Sequence, residues 1–250
     1  MLMQVVLAVA ESKRLIAKGV AAHPLVQRAR KEGMLIIARG STNGYVAEEI
    51  LGCSIDKPAF LTGRTLPRGH VQRPHKSQPI GEVVIRRGEV AKDMTLAEAI
   101  SDLQGGDVFI KGANALDYPN KLVGILIGHP EGGTIGAALP TIIARKAHLI
   151  VPVGLEKLVA SDLARMSDLI ASDRSTLETV PSLWVVSAAT IVTEIEAVES
   201  LTGAECRHLA SGGIGGAEGS VRLLVSGDGD AVARARELFD SIAGEESYPI

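Results

Sequence analysis

Between residues 33 and 172, short apolar runs alternate with longer stretches in which apolar positions recur at helical spacing. The runs predict buried strands, and the stretches between them predict amphipathic helices. Strands and helices that alternate on this scale favour a parallel sheet joined by right-handed crossovers. The predicted strands are MLIIA, DVFIKG, LVGILIG and HLIVPVG, and the predicted helices are YVAEEILG, IGAALPTIIARKA and LEKLVASDLARMSDLIAS.

Four further segments lie before or within this alternation. SKRLIAKGVAAHPLVQRARKEG predicts a helix that breaks near Pro24 and stops at Gly33. The run before it, MQVVLAVA, fits either an edge strand or the start of a helix. GEVVIRRGEV predicts a hairpin, and TLAEAISDLQGG predicts a helix that begins at Thr95.

The pattern changes after Pro181. The segments that follow predict a strand, a helix, two strands and a helix, which is most of a ferredoxin-like split βαβ unit. We therefore predict an α/β protein with a mostly parallel sheet flanked by helices over residues 1–181, and a small C-terminal α+β ferredoxin-like lobe over 182–250. The segments of the lobe are LWVVSAATIV, TEIEAVESLTG, AECRHLASGG, SVRLLVSGD and GDAVARARELFDSIAGE.

Three of the predicted strands stop at small-residue loops, ARGSTNGYVAEE, GANALD and GHPEGGTIG. In an α/β sheet, ligands bind at such loops beyond the carboxyl ends of the strands. Backbone N–H groups at glycine loops and helix starts suit an anion, most often phosphate. In an alternative interpretation, one of the three polar residues 41–43 simply caps the helix that follows. The candidate ligand-binding residues are Gly40, Ser41, Thr42, Asn43, Gly44, Gly112, Asn114, Lys121, Gly132, Gly133 and Thr134.

Two acidic residues in these loops are candidates for catalysis. Glu131 lies in a glycine loop, where a carboxylate can be a nucleophile, a base or a hydroxyl acceptor, and His129 is close enough to pair with it. The alternative is that this loop is only a tight turn. Asp117 either orders a hydroxylated substrate and acts as an acid or base, or it is a turn residue before Tyr118. We take Glu131 and Asp117 as the candidate catalytic pair.

Residues 53–80 are too long and irregular for an ordinary connection, and such segments are often lids or partner surfaces. Between 64 and 76 their basic side chains provide the charge to attract an anionic ligand. No aromatic residue is interleaved with these charges, which disfavours single-stranded nucleic acid. The basic side chains are Arg64, Arg68, His70, Arg73, His75 and Lys76.

Composition restricts the class of protein further. Hydrophobic residues make up 46% of the chain but aromatic residues only 3%, so the core must consist of aliphatic side chains. The formal net charge of −3 gives no reason to expect a nucleic-acid partner. No apolar run is long enough to span a bilayer. Cys53 and Cys206 are predicted to be two buried reduced thiols. We expect a cytoplasmic homo-oligomer with no metal, cofactor or membrane contact.

Taken in order, these segments resemble ribose-5-phosphate isomerase A and, more broadly, its superfamily with glucosamine-6-phosphate deaminase and the CoA transferases. ARGSTNGYVAEEIL is similar to the family's GTGST loop and helix, and KGANALD is similar to its DGADEVD segment. EGGTIGAAL, followed by HLIVPVG and LEKLV, is similar to its glycine run and to the strand that ends near DESKLV. Order and spacing agree over residues 33–160.

The resemblance implies the superfamily fold and a sugar-phosphate site, but the residues depart from the isomerase pattern. Lys111 and Asn114 stand where the family has two aspartates, Ala115 replaces its glutamate, and only Asp117 matches. Glu131 would supply the proton-moving carboxylate from a different position. The expected function is binding of a small phosphorylated or anionic metabolite, as a divergent isomerase or transferase. The alternative is a non-catalytic metabolite sensor or a regulatory or assembly subunit.

Overall fold

The computed structural model describes residues 1–69, 78–176 and 179–247. The strands are β1 Leu2–Leu7, β2 Met34–Ile37, β3 Val83–Arg86, β4 Glu89–Val90, β5 Val108–Ile110, β6 Ala115–Asp117, β7 Leu122–Ile127, β8 His148–Pro152, β9 Ser182–Val186, β10 Thr190–Val192, β11 Glu205–Ser211 and β12 Val221–Ser226. The α-helices are α1 Val9–Ala22, α2 Pro24–Glu32, α3 Ser41–Leu51, α4 Leu96–Asp102, α5 Gly133–Arg145, α6 Leu163–Ser172, α7 Glu194–Thr202 and α8 Gly229–Asp240.

A six-stranded sheet with the order β10-β8-β5-β2-β3-β4 forms the centre of the molecule. The pairs β10–β8, β8–β5 and β5–β2 are parallel, and the predicted hairpin β3–β4 adds two antiparallel pairings at one edge. The prediction of an α/β fold with a mostly parallel sheet is thus confirmed. The predicted break near Pro24 is also present, because α1 ends at Ala22 and α2 starts at Pro24.

Both faces of this sheet are buried, as the continuous apolar runs require. Alternate residues of β2 belong to different core clusters: Ile36 packs on one face, and Leu35 and Ile37 pack on the other. Helices α1, α2 and α3 cover the second face with aliphatic side chains. Helices α4 and α5 cover the first face.

The apolar run of β7 does not join the parallel sheet. It forms an antiparallel sheet with the order β6-β7-β9. The connection from β6 to β7 spans only residues 118–121, whereas a parallel crossover needs about a dozen residues or more. Asp117 stabilises this turn, because its Oδ1 accepts a hydrogen bond from the Asn120 backbone N–H at 3.2 Å.

The C-terminal prediction needs correction in its first strand. The segment LWVVSAATIV is not one strand: β9 pairs with β7, and β10 pairs with β8 of the central sheet. The sheet β1-β12-β11 instead takes its third strand from the N-terminus, where Leu2 pairs with Ser226. Strand pairings therefore cross residue 181 in both directions. Antiparallel pairing with a remote segment left no local signal in MQVVLAVA, which forms β1 and then the first turn of α1.

Two further expectations concern thiols and membranes. Cys206 is buried as expected, but Cys53 is exposed because it lies in the turn after α3. Within residues 1–69, 78–176 and 179–247, no helix is long and apolar enough to cross a membrane.

Helices α1 and α7 pack closely at Gly19, and this contact yields a stability prediction. A Cβ at Gly19 of α1 would lie 2.6 Å from the Cβ of Ala197 in α7. Gly19→Ala should lower the free energy of unfolding in urea, because overpacking costs about 1–3 kcal/mol. That penalty outweighs the roughly 1 kcal/mol gained from helix propensity. Gly81→Ala is the control, since nothing lies within 4 Å of its added Cβ; equal stability of the two variants would contradict the contact.

Candidate functional site

The carboxyl ends of β2 and β5 lie side by side, because Ile37 and Ile110 are paired in register. The chain leaves β2 through a short loop into α3, and it leaves β5 through residues 111–114. A cavity of about 310 Å³ opens between these two exits. Its lining residues are Arg39, Gly40, Ser41, Thr42, Asn43, Thr62, Gly63, Arg64, Thr65, Lys111, Gly112, Ala113, Asn114, Leu126, Gly128, Lys157 and Pro181.

Helix α3 begins at the wall of this cavity without a side-chain cap. Its N-cap is Gly40, so the interpretation that a polar residue of 41–43 caps the helix is wrong. The N–H of Gly44 already donates to the Gly40 carbonyl at 2.9 Å, which removes Gly44 from the set of amides available to a ligand. The amides of residues 41–43 belong to the first turn and have no intrahelical acceptor. They place the positive end of the helix dipole at the cavity.

Asn43 joins the two strand ends beneath the cavity. Its Nδ2 donates to the carbonyl oxygens of Ala38 at 2.6 Å and Ile110 at 3.3 Å, which fixes the orientation of the amide. The Asn43 side chain is completely buried, and its Oδ1 has no hydrogen-bond partner among the residues described. A Cβ added at Gly112 would lie 3.9 Å from this oxygen, so Oδ1 faces the cavity wall. A buried acceptor without a donor is unfavourable, which suits a ligand hydroxyl.

Four cationic side chains line the cavity, and the lining residues that the structure describes include no aspartate or glutamate. Three of the four are fixed by an ion pair or a hydrogen bond to other groups of the protein. Arg39 pairs with Glu82 at 3.2 Å, Arg64 donates to the Pro58 carbonyl at 3.3 Å, and Lys157 donates to the Ala113 carbonyl at 2.8 Å. Their convergence gives a locally positive cavity in a chain of net charge −3.

Lys111, the fourth cation, is the first residue after β5. Its Nζ donates to the Gly112 carbonyl at 3.2 Å. Burial and the nearby charge of Lys157 lower the pKa of Lys111 to about 8. Both causes disfavour the ammonium form, so this amine is partly neutral near physiological pH.

A buried carboxyl group supports the segment that carries Lys157. The short 3₁₀ helix Leu155–Lys157 begins where the Leu155 N–H donates to Oε2 of Glu194 at 2.9 Å. Glu194 is completely buried at the start of α7. Burial and the neighbouring Glu156 carboxylate raise the pKa of Glu194 to about 8. Glu194 therefore acts as a neutral acid that positions the 3₁₀ helix.

The third glycine loop takes only a small part in this cavity. Leu126 and Gly128 line it, but Glu131 is exposed and lies outside it. His129 does not pair with the Glu131 carboxylate in this structure: its Nδ1 accepts a hydrogen bond from the Glu131 backbone N–H at 3.2 Å. Gly133 and Thr134 do not line the cavity either.

Packing explains two of the glycines in this loop. Gly132 has a φ of +81°, and a Cβ there would lie 3.2 Å from the ring of Trp184. A Cβ on Gly136 would lie 2.8 Å from the Glu131 carbonyl oxygen. The loop is therefore a tight helix start covered by Trp184. A second, more open cavity of about 540 Å³ adjoins it, and Gly132 is the one predicted site residue that lines it.

Two other predicted residues are held in the β6–β7 turn, away from the cavity. Asp117 is buried and accepts from both the backbone N–H and the side-chain amide of Asn120, which fits the turn interpretation. Lys121 lies 3.5 Å from the ring of Tyr118 and forms an ion pair with Glu196 at 3.5 Å. The structure thus brings six predicted residues to the cavity, namely Gly40, Ser41, Thr42, Asn43, Gly112 and Asn114.

Three of the four cations were missed by the sequence-based selection of site residues, whereas the fourth, Arg64, belongs to the basic segment that was predicted to attract an anionic ligand. Arg39 and Lys111 each follow a predicted strand closely, so their position was a usable signal. Lys157 comes from a remote segment and carries no local signal. Arg68 is exposed outside the cavity, and His70, Arg73, His75 and Lys76 lie outside the residues that the structure describes.

No group of three or more His, Cys, Asp or Glu side chains suited to a metal ion occurs in the described parts of the chain. Comparison with family models, with curated proteins and with solved structures found no match to this chain. The resemblance to the ribose-5-phosphate isomerase superfamily stays a prediction, as do the catalytic assignments of Glu131 and Asp117.

The buried Glu194 carboxyl group, which supports the segment that carries Lys157, predicts how the stability of the protein depends on pH. The carboxyl group ionises near its ordinary pKa of 4.5 in the unfolded chain but near 8 in the folded protein. Between these two pKa values the Glu194 carboxyl group is mostly protonated in the folded protein and mostly ionised in the unfolded chain. The contribution of Glu194 to the free energy of unfolding therefore falls as pH rises. The fall is at most ~1.4 kcal/mol per pH unit.

Urea unfolding from about pH 5 to 8 measures this slope. Glu194→Gln keeps the acceptor for the Leu155 N–H but does not titrate, so its stability curve should be flatter than that of the wild type. Glu205→Gln, at an exposed position, is the control and should keep the slope. Parallel curves for Glu194→Gln and the wild type would contradict the assignment.

Proposed function

We propose that this protein binds a small phosphorylated or otherwise anionic metabolite in the cavity between the ends of β2 and β5. One observation carries the proposal: four cations and the start of α3 face a cavity whose described lining contains no carboxylate. Anions bind at helix starts through free backbone N–H groups and the helix dipole. Charge-assisted hydrogen bonds from Lys and Arg make such binding stronger.

Some polar groups of the cavity suit a charged part of the ligand, and others suit a hydroxylated part. The Ser41 and Thr42 hydroxyls and the first-turn amides suit phosphate oxygens, and the cations balance the charge. The unpartnered Oδ1 of Asn43 suits a ligand hydroxyl. Asn114 is held at the wall, because its Oδ1 accepts from the Leu126 N–H at 3.0 Å. A sugar phosphate or a similar hydroxylated phosphate ester has both parts.

The absence of a carboxylate from the described part of the lining also bears on the reaction. An aldose–ketose isomerase needs a base beside the proton that it moves, and the two predicted carboxylates lie outside the cavity. This favours a sensor or regulatory subunit over an isomerase that uses Glu131 or Asp117. A divergent transferase that uses Glu131 would have to carry out its reaction at the exposed loop, outside the cavity.

Binding of inorganic phosphate and sugar phosphates, measured by thermal shift and calorimetry, tests the proposal. A ligand that binds only the folded state raises the melting temperature. Lys157→Gln removes one charge-assisted hydrogen bond, which is worth about 1.5–3 kcal/mol, so affinity should fall roughly 10- to 100-fold. Arg64→Gln should weaken binding in the same direction, and added salt should weaken it further.

Lys92→Gln is the matched control, because this exposed lysine lies outside the cavity. It should leave the affinity for phosphate unchanged. If neither phosphate nor any sugar phosphate raises the melting temperature, or if all three variants bind equally well, the proposal is wrong.

Glu131→Gln separates the cavity from the exposed glycine loop. Because Glu131 lies outside the cavity, this variant should bind phosphate with wild-type affinity in the same calorimetric assay. A tenfold change in its affinity would place the anion at the third loop instead. If turnover of a sugar phosphate is detected, its loss in Glu131→Gln would restore the catalytic role predicted for this residue.

A further inference from the structure

We propose that Lys111 is a nucleophilic amine that forms an imine with a phosphorylated aldehyde or ketone held in the same cavity. This inference rests on the proposed function, because the anion site must hold the phosphate of that ligand. It goes beyond that function by naming a carbonyl compound as the ligand class and a covalent step as the event.

The surroundings of Lys111 are unusual for a structural lysine. Buried lysines are normally paired with a carboxylate, since an unpaired buried charge is costly. Among the described residues, no Asp or Glu forms an ion pair with Lys111, and its Nζ donates a hydrogen bond to the Gly112 carbonyl. A neutral amine can make that contact with one N–H and keep its lone pair free for attack.

A second cation also favours the neutral form of the Lys111 amine. Lys157 lines the same cavity, and its charge opposes protonation of Lys111. With the pKa lowered to about 8, roughly one molecule in ten carries a neutral Lys111 at pH 7. An ordinary lysine has a neutral fraction hundreds of times smaller at that pH. Desolvation beside another cation is an established way to activate a lysine nucleophile.

The cavity also supplies the positioning that such a step needs. Lys111 lies at the end of β5, and the start of α3 lies at the end of the adjacent strand β2. A phosphate held at α3 would keep an attached carbonyl group within the same cavity of about 310 Å³ as the amine. Holding two reacting groups together converts a bimolecular encounter into an effectively intramolecular one.

The step balances without an oxidant or a reductant. The Lys111 nitrogen lone pair attacks the carbonyl carbon to form a C–N bond, and the carbonyl oxygen takes up a proton to give a carbinolamine. The C–O bond then breaks, and the oxygen leaves as water with the two hydrogens that the amine gives up. The buried Oδ1 of Asn43 is a suitable acceptor for a hydroxyl in this cavity.

Pyridoxal phosphate, a phosphorylated aldehyde, is the probe, and borohydride reduction traps an imine as a stable amine. Peptide mapping by mass spectrometry should place the label at Lys111, and inorganic phosphate should protect it. Pyridoxal phosphate should label Lys111 about tenfold or more faster than pyridoxal, which lacks the phosphate. The labelling rate of Lys111 should rise through about pH 8, where the amine loses its proton.

Lys111→Arg keeps the positive charge but removes the nucleophile, and it should lose the label while retaining its circular dichroism spectrum. Lys92→Arg, which replaces an exposed lysine, should be labelled like the wild type. Pyridoxine phosphate, which lacks the aldehyde, measures phosphate binding without imine formation. It separates the failure of this inference from failure of the proposed function.

Three results are distinguished by this design. Phosphate-protected label at Lys111 supports the inference. If pyridoxine phosphate binds in calorimetry but the wild type carries no label at Lys111, the imine is excluded and the anion site stands. If pyridoxine phosphate does not bind, Lys111 carries no phosphate-protected label, and neither inorganic phosphate nor any sugar phosphate raises the melting temperature, both the inference and the proposed function are wrong.

Discussion

The parallel pairing of β2 with β5 is the constraint on which the cavity depends. It sets two strand ends beside each other, and the buried amide of Asn43 joins them by donating to the Ala38 and Ile110 carbonyls. The Ile110 carbonyl also accepts the Ala38 backbone N–H at 3.0 Å, so the Asn43 side chain adds a further bond between strand ends that the backbone already joins. The same amide orientation leaves the buried Asn43 oxygen without a hydrogen-bond partner among the described residues. Under the proposed function, structural support and ligand recognition are combined in this one residue.

The second constraint is electrostatic. Each cation at the cavity lies against backbone carbonyl groups or a carboxylate outside the lining, so its position is fixed while the cavity stays positive. Burial and the nearby charge of Lys157 explain the weakened basicity of Lys111. An anionic ligand would offset the positive charge of Lys157, for which the described lining holds no carboxylate. The occupied cavity would therefore be closer to electrical neutrality than the resting one.

The sequence predicted the centre of the fold well, because local apolar runs specify β2, β5, β8 and the helices that follow. It placed β7 in the wrong sheet, since an apolar run does not show whether its partner is reached by a crossover or by a tight turn. Part of the candidate site was also predicted: of the seventeen described residues that line the cavity, residues 40–43 come shortly after β2, and Gly112 and Asn114 come shortly after β5. Arg64 and Lys157 reach the cavity from remote segments, and only tertiary structure brings them there. The glycines at 132 and 136 misled the prediction because packing against Trp184 and close backbone approach need the same small residues as a ligand does.

The strand at the beginning of the chain has a consequence for the order of folding. β1 pairs with β12, and Leu2 meets Ser226 across nearly the whole length of the polypeptide. During synthesis from the N-terminus, the central sheet can assemble while β1 still lacks its partner. The β1-β12-β11 sheet must therefore form late, and until then β1 exposes an unpaired edge that is open to mispairing with other chains. A contact that needs such a long loop to close also slows the final step of folding.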